Sequence, residues 1–327
     1  MIANRSQRPH SNKFLAIPME PIVKLQMPIK ASWCALAWVL AVSVGIVGQE
    51  ESTPGSEFTV LATTEDRDEY RALQREVAVE LLEPSSLSQE HKELLANALS
   101  KVYMGIPVGS YTRTVRVEDS TEEESEENSN TWMVSETGGV HRDGEQVDYT
   151  LARAISNSPF QGSMAFAIDA EKIRLASETD TEATFVWDID MSEGAKAMEE
   201  TADSLDSEVA EDAPMSEADA MRAVGGLFGK GKFAGEITVD KSDESVKHYV
   251  MLRLENTVRR RLLFKITSMV MDHHFSFIEN CDGYVVRRSN FDMAGSALVV
   301  GKFTSTETTT FTDITCEQPL RYLEIPE

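Results

Sequence analysis

Alternating apolar and polar positions dominate the last third of the chain and predict an antiparallel sheet. Between residues 233 and 314, apolar side chains recur at every second position in several runs, which is the pattern of a half-buried strand. Asp282-Gly283 is a turn signal between two of these runs. A second Asp-Gly pair, Asp143-Gly144, predicts a hairpin between the runs 132–135 and 146–155. Long strands joined by tight turns predict a meander.

Two segments ahead of the sheet follow a helical period instead. The apolar stripes consist of Tyr70, Leu73, Val77 and Leu81 in the first segment, and of Leu94, Leu95, Ala98, Leu99 and Val102 in the second. Thr64 is the predicted N-cap of the first helix, and Ser86 is that of the second. The pair predicts a helical hairpin that packs on a partner surface.

Two acidic segments interrupt these patterns. Residues 118–127 hold seven acids in ten positions, and we predict an acidic loop over 118–130. Residues 191–228 are predicted as an acidic helical insert that ends in the glycine-rich hinge 225–233. The fold class is therefore α+β, with a curved antiparallel β-sheet (a meander) packed against an N-terminal helical hairpin and an inserted acidic helix. Residues 58–327 are predicted to form a single domain.

The amino terminus has the pattern of an export signal. Residues 31–48 are uncharged and largely apolar, and Lys24 and Lys30 precede them. We predict a signal peptide over 1–48, with an extended or misassigned start, cleaved after Gly45 or Gly48. A flexible lead, 49–57, follows. An uncleaved anchor is the alternative, and it would limit membrane contact to this segment. The predicted location is the periplasm or the cell exterior.

Charge and composition exclude several functions. Lysine and arginine total 31 and aspartate and glutamate total 55, so the net charge is −24. This acidity argues against nucleic-acid binding, which needs clustered cations. Arg259-Arg260-Arg261 and Arg287-Arg288 are local exceptions, which we interpret as partners of the acidic segments or as a patch for an anionic lipid or partner. Gly-x-Ser-x-Gly is missing, and Gly226 to Lys232 resembles a phosphate-binding loop without its Ser or Thr.

Three cysteines occur, and Cys34 lies within the predicted signal. Cys281 and Cys316 are therefore the two cysteines of the predicted mature chain. In an oxidising compartment they are candidates for a disulfide, although the sequence does not show that they are close enough. Neither cysteine lies in a recognisable nucleophile motif.

Several histidines and nearby acids are candidate metal ligands. Asp272-His273-His274, with His248 and Asp282, offers suitable ligand types. Adjacent histidines on a strand point to opposite faces, so His273 and His274 cannot both bind one ion. In the strand 246–254, alternation places His248 on the same face as Val246, Val250 and Leu252. We interpret these as ordinary strand histidines and predict no metal and no cofactor.

In layout, residues 58–315 resemble the bacterial periplasmic carriers of the LolA and LppX type. An exported chain, early helices and a long meander carry the resemblance, which implies a sheet that holds acyl chains. We predict a non-enzymatic protein that binds an apolar ligand, either a lipid or a lipidated partner. The candidate lining residues are Phe264, Ile266, Phe275, Phe277, Phe291 and Val299. An extracytoplasmic protein-interaction or structural protein is the alternative, and a hydrolase is a third reading.

Overall fold

A computed structural model describes the chain from residue 58 to residue 323 with eight internal gaps. The described ranges are 58–61, 63–105, 107–120, 125–147, 158–160, 168–204, 217–260, 264–297 and 301–323. The helices are α1 Thr64–Leu82, α2 Gln89–Ser100, α3 Ser192–Ser204 and α4 Glu217–Phe228. The strands are β1 Phe58–Val60, β2 Gly109–Asp119, β3 Glu126–Val134, β4 Val140–Arg142, β5 Glu145–Val147, β6 Arg174–Glu178, β7 Glu182–Ile189, β8 Phe233–Asp240, β9 Ser245–Leu254, β10 Val258–Arg260, β11 Phe264–Ile278, β12 Gly283–Ala297, β13 Gly301–Thr312 and β14 Arg321–Leu323.

Twelve of the strands form one open antiparallel sheet, in the order β5-β4-β3-β2-β13-β12-β11-β9-β8-β7-β6, with β10 paired to β11. Two meanders make up this order, β2 to β5 and β6 to β13, and the pairing of β2 with β13 joins them. β1 and β14 form a separate two-stranded sheet. The predicted fold class, α+β with a curved antiparallel sheet, is confirmed.

The two faces of the large sheet differ in chemistry. The helix-bearing face carries Phe185, Ile237, Tyr249, Phe291 and Phe311, all of them buried. The outer face carries mainly threonine, charged and histidine side chains, which are half-buried or exposed. Alternation along each strand produces this separation, because successive side chains point to opposite faces.

A first apolar cluster lies between α1, α2 and one end of the helix-bearing face. Tyr322 of β14 packs against Tyr70 of α1 and Tyr103 with tilted rings, whose centroids lie 4.4 and 4.8 Å away. The hydroxyls of Tyr70 and Tyr103 donate to the carbonyls of Leu323 and Arg321, both at 2.8 Å. These bonds satisfy buried polar groups and fix α1 to the small sheet.

A second cluster lies under α3 and α4. Ala195 and Met198 of α3 and Leu227 and Phe228 of α4 pack with apolar side chains of β8 to β13. Gly225 allows the two helices to approach, since a Cβ there would lie 3.0 Å from the Ala195 carbonyl oxygen. This contact explains why α4 continues through Gly225 and Gly226, where the sequence predicted a hinge.

A close packing contact also explains a glycine in β8. Trp187 of β7 is fully buried, and its indole ring occupies the space that a side chain at Gly235 would need. The two residues are register partners on adjacent strands. Packing of this density makes an added methyl group costly, typically by about 1–3 kcal/mol.

The segment between β11 and β12 is tied to the rest of the structure by covalent and ionic contacts. Cys281 and Cys316 form a disulfide, with their Cα atoms 5.0 Å apart. Next to it, Asp282 accepts ion pairs from Arg67 and Arg71 of α1, both at 2.9 Å. The disulfide therefore joins the turn before β12 to the segment after β13, beneath α1.

The two predicted N-terminal helices are present, but they begin at other residues than predicted, and α1 buries a different face. Thr63 caps α1 in place of Thr64 and forms a capping box with Asp66. Ser88 caps α2 in place of Ser86. The buried positions of α1 are Tyr70, Gln74, Ala78 and Leu82. These buried positions lie four residues apart throughout, whereas the predicted stripe passed through Leu73. Leu73 is instead 47% exposed.

The acidic segments are more regular than the sequence predicted. Glu118 and Asp119 belong to β2, and 126–130 belong to β3, so the predicted loop 118–130 is wrong at both ends. Backbone pairing with β13 and β3 extends these strands although their side chains are charged and exposed. The insert 191–228 contains two helices, α3 and α4.

Replacing both Cys281 and Cys316 by serine is expected to lower the free energy of unfolding by about 3–4 kcal/mol. The bridge spans 35 residues, and a loop of that size restricts the unfolded chain to this extent. Urea unfolding of both proteins measures the difference. Two titratable thiols in the denatured, unreduced wild type would contradict the disulfide.

Candidate functional site

A row of polar side chains crosses the outer face of the sheet. Register pairing places one residue from each of eight consecutive strands in this row. The members of the cross-strand row are Thr184, Thr238, His248, His274, Arg288, Thr310, Thr114 and Ser129. Hydroxyl contacts join the pairs at its two ends, Thr184 with Thr238 at 3.1 Å and Thr114 with Ser129 at 3.0 Å.

The middle of the row contains the His–Asp–His cluster, which consists of His248 on β9 and of Asp272 and His274 on β11. The Nε2 atoms of His248 and His274 lie 3.5 and 3.2 Å from Asp272 Oδ1. One ligand atom from each residue lies within 4.8 Å of the other two. The two imidazole rings stack with centroids 4.5 Å apart.

Irregular strand register brings His248 into this cluster. The pairing of β8 with β9 shifts between Thr238 and Val239, and the pairing of β9 with β11 shifts between Met271 and Asp272. Each bulge adds one residue on one strand and reverses the alternation of faces beyond it. His248 consequently points to the outer face, whereas Val246 and Leu252 are buried. The predicted common face is therefore wrong for Val246 and Leu252, whereas Val250, the register partner of Asp272, does share the outer face with His248.

His273, which lies between Asp272 and His274 on β11, points to the opposite face of the sheet. It is buried in the helix-bearing face, where its Nδ1 atom lies 2.7 Å from the Ser289 hydroxyl. Burial lowers its pKa to about 4. The expectation that His273 and His274 point apart is met. The sequence interpretation missed that Asp272 and His274, two residues apart, share a face with a histidine of the next strand.

The cluster is partly shielded from water. Side-chain exposure is 27% for His248, 12% for Asp272 and 48% for His274. Burial raises the pKa of Asp272, but its interactions with His248 and Asn290 outweigh this and hold the pKa below its usual value. Burial and the charges of His248 and Arg288 lower the pKa of His274, against the effect of Asp272. At neutral pH, Asp272 is therefore ionised and His274 is neutral.

Asn290 of β12 supports the cluster from the adjacent strand. Its Nδ2 donates to Asp272 Oδ1 at 2.8 Å, and its Oδ1 accepts from Arg288 Nε at 2.7 Å. Thr308 of β13 also donates to Asn290 Oδ1, at 3.4 Å. This arrangement fixes the orientation of the Asp272 carboxylate, as partners of ligating side chains do in metal sites.

The geometry suits a divalent transition-metal ion. In a tetrahedral zinc site, bonds of about 2.0–2.1 Å place neighbouring ligand atoms about 3.3 Å apart. The separations of the two Nε2 atoms from Asp272 Oδ1, 3.5 and 3.2 Å, bracket that value. His248 Nε2 is buried, and its polar contact among the described residues is the long one to Asp272 Oδ1, at 3.5 Å. A metal ion would satisfy this atom.

A groove of ≈ 350 Å³ opens on the outer face beside the cluster. It begins at Arg288, the register partner of His274, and continues over β13, β2 and β3. Its lining residues are Thr114, Arg116, Glu118, Glu127, Arg288, Thr308 and Thr310. Arg116 is paired with Glu118 at 2.8 Å. The far end of the groove therefore carries two acids, Glu118 and Glu127, and one base, Arg116, whereas Arg288 is the cation at the end near the cluster.

The residues proposed to line an apolar site have other surroundings. Ile266 and Phe291 are buried in the second cluster, and Phe275 is buried in the first. Phe277 is 48% exposed and lies against Tyr284, with ring centroids 5.5 Å apart. The side chain of Phe264 and the whole of Val299 lie outside the described residues. Three of the six candidate lining residues, Ile266, Phe275 and Phe291, therefore pack in the core.

A different strip of the helix-bearing face is apolar but lies outside both clusters. Val115 and Val117 of β2 are half-buried there and belong to neither cluster among the described residues. Glu307 of β13 is the register partner of Val117. Burial raises the pKa of Glu307, although Arg113 opposes the shift.

Comparison with protein-family models, with curated proteins and with solved structures gives no match for this chain. Among the helices that the structure describes, none has the length and hydropathy needed to cross a membrane. Function is therefore inferred below from the geometry of the described residues.

Proposed function

We propose that this protein is an exported, non-enzymatic protein that binds a divalent transition-metal ion at the His–Asp–His cluster. The observation that carries the proposal is the convergence of two imidazoles and one carboxylate, with ligand atoms within 4.8 Å of one another, on the outer face. Zinc and its neighbours in the first transition row prefer these ligand types.

The cluster is built on adjacent strands, which makes it rigid. Ligands on paired strands lose little conformational freedom on binding, so more of the interaction energy is available for affinity. Asn290 adds a hydrogen bond that holds Asp272 in place. The structure of the site therefore favours a preformed metal centre.

Binding is favoured over hydrolysis because of what surrounds the three ligands. A hydrolytic metal centre uses a further side chain as general base or acid. Two other acids of the outer face, Asp292 and Glu236, are engaged by Thr306 and Arg253, both at 2.7 Å. Among the described residues, the cluster itself contains no fourth titratable ligand-type side chain.

Export is supported by two features. A disulfide between Cys281 and Cys316 is typical of an oxidising compartment, and residues 31–48 have the composition of a signal segment.

Expression with the native amino terminus should give a mature chain that starts at Ile46 or Gln49, as measured by N-terminal sequencing of the extracytoplasmic fraction. An intact chain in the cytosol would contradict export.

Zinc binding is expected with a stoichiometry of one ion per chain. Asp272→Asn replaces a carboxylate ligand by a weaker neutral amide, and His274→Gln removes an imidazole ligand. Each should weaken zinc affinity by at least about 10-fold, since even loss of a supporting residue costs 10–100-fold in such sites. Isothermal titration of the tag-free protein measures the affinity, and circular dichroism verifies that each variant is folded.

His91→Gln is the matched control. His91 lies on α2, where it is paired with Glu178 at 3.2 Å, and it is not part of the cluster. It should bind zinc as the wild type does. Loss of zinc binding in this control, or wild-type affinity in both ligand variants, would contradict the assignment of the site.

Apolar-ligand binding is a second candidate function, favoured by the strip of Val115 and Val117 on the helix-bearing face. A half-buried carboxyl group at Glu307, with a raised pKa, is compatible with an apolar environment there. Native mass spectrometry of the purified protein should then show an adduct that solvent extraction releases as a lipid. A single ligand-free mass after gentle purification would contradict this candidate.

A further inference from the structure

We infer that a phosphate-class oxyanion completes the coordination of the metal ion and is held there by Arg288. This inference rests on the proposed metal binding and adds the chemical class of a second ligand. Three protein ligands leave at least one coordination position of a four- to six-coordinate ion open. All three ligands come from the sheet, so the open position faces the solvent above the outer face.

Arg288 is placed to contact whatever occupies that position. It is the register partner of His274 on the neighbouring strand, and its side chain is exposed on the same face. Directly opposite residues of an antiparallel pair have Cβ atoms about 4.5–5.5 Å apart. The guanidinium group is therefore beside the metal ligands, at the mouth of the groove.

The orientation of Arg288 is fixed by the residue that orients Asp272. Asn290 donates to Asp272 and accepts from Arg288 Nε. Among the described residues, this is the one hydrogen bond that the Arg288 side chain makes, so the Nη groups remain for a ligand. A guanidinium group held through Nε presents a planar pair of donors, which matches the oxygens of a phosphate group.

Charge and space both favour an anion at this point. The metal ion and Arg288 together outweigh the negative charge of Asp272, in a protein whose net charge is otherwise −24. Beyond Arg288, the hydroxyl groups of Thr308 and Thr310 line the groove of ≈ 350 Å³. The Thr310 hydroxyl can donate to a further oxygen, whereas that of Thr308 already donates to Asn290, and the groove has room for a substituent on the phosphate.

The glutamates of the groove limit the anion site to one end. Glu118 is paired with Arg116, and Glu127 is the register partner of Arg116 on β3. Both acids are therefore associated with Arg116 rather than with Arg288. An anion would bind between the metal and Arg288, and the uncharged or cationic part of a larger ligand would extend toward β3.

The test is a titration of inorganic phosphate into protein loaded with Co²⁺, followed by the visible absorption of the metal. Binding of phosphate to the metal is expected to change this spectrum. Arg288→Gln removes a charge-assisted contact and should weaken phosphate affinity by roughly 10–100-fold. Cobalt affinity, measured separately in phosphate-free buffer, should change by less than about two-fold, because Arg288 is not a ligand.

Arg287→Gln is the control of equal charge. Arg287 lies at the irregularity between β11 and β12, where it has no register partner, and it does not line the groove. It should bind phosphate like the wild type. Equal weakening in the two variants would show a general charge effect and would overturn the role of Arg288.

Failure of this inference can be separated from failure of metal binding. A wild type that binds cobalt but shows no spectral response to phosphate would overturn the inference and leave the metal site intact. Phosphate that binds equally well to metal-free protein would also overturn it. A wild type that does not bind cobalt would overturn the proposed function itself.

Discussion

Strand register is the constraint on which the rest of this structure depends. In a sheet, a shift of one residue moves a side chain from one face to the other. The bulges in the pairings of β9 with β8 and with β11 therefore decide whether His248 joins the core or the outer face. With the observed register, His248 stacks on His274 beside Asp272, and the buried side chains on either side of His248 along β9 remain in the core.

The same constraint connects packing to chemistry. His273 is buried on one face and His274 is exposed on the other, so a single strand contributes to the core and to the candidate metal site. Bulky apolar packing beneath the sheet, around Trp187 and Tyr249, keeps β7 to β9 in fixed positions. A rigid sheet in turn holds the His–Asp–His cluster in place without a loop, which is the condition for a preformed site.

The sequence predicted the elements better than it predicted their contacts. Periodicity indicated α1, α2 and most strands of the meander, because these signals are local. The Asp-Gly pair indicated the turn at 143–144, but this turn joins β4 to β5, and the run 132–134 pairs with β4 instead of with the run after the turn. The starts of α1 and α2 were displaced because several Ser and Thr residues near each start can act as caps. The continuation of α4 through Gly225 depends on its contact with Ala195, which is a tertiary effect.

The sequence named His248, Asp272 and His274 among its possible metal ligands, but their convergence was outside the reach of sequence reasoning for a similar reason. Asp272 and His274 have the spacing of one strand face, and that part of the signal was available. The third ligand is 24 residues earlier, and its face is set by bulges that leave no mark in the apolar pattern. The pairing of β2 with β13, which places Arg116 and Thr114 next to β13, is likewise a long-range event that no local pattern encodes.

The central claim is that one metal ion binds to His248, Asp272 and His274. A crystal structure of the zinc-loaded protein, with anomalous differences measured at the zinc edge, tests it most directly. We expect a single strong peak within bonding distance, about 2.0–2.2 Å, of His248 Nε2, Asp272 and His274 Nε2. A zinc-loaded crystal with peaks only at other residues, or with none, would contradict the claim.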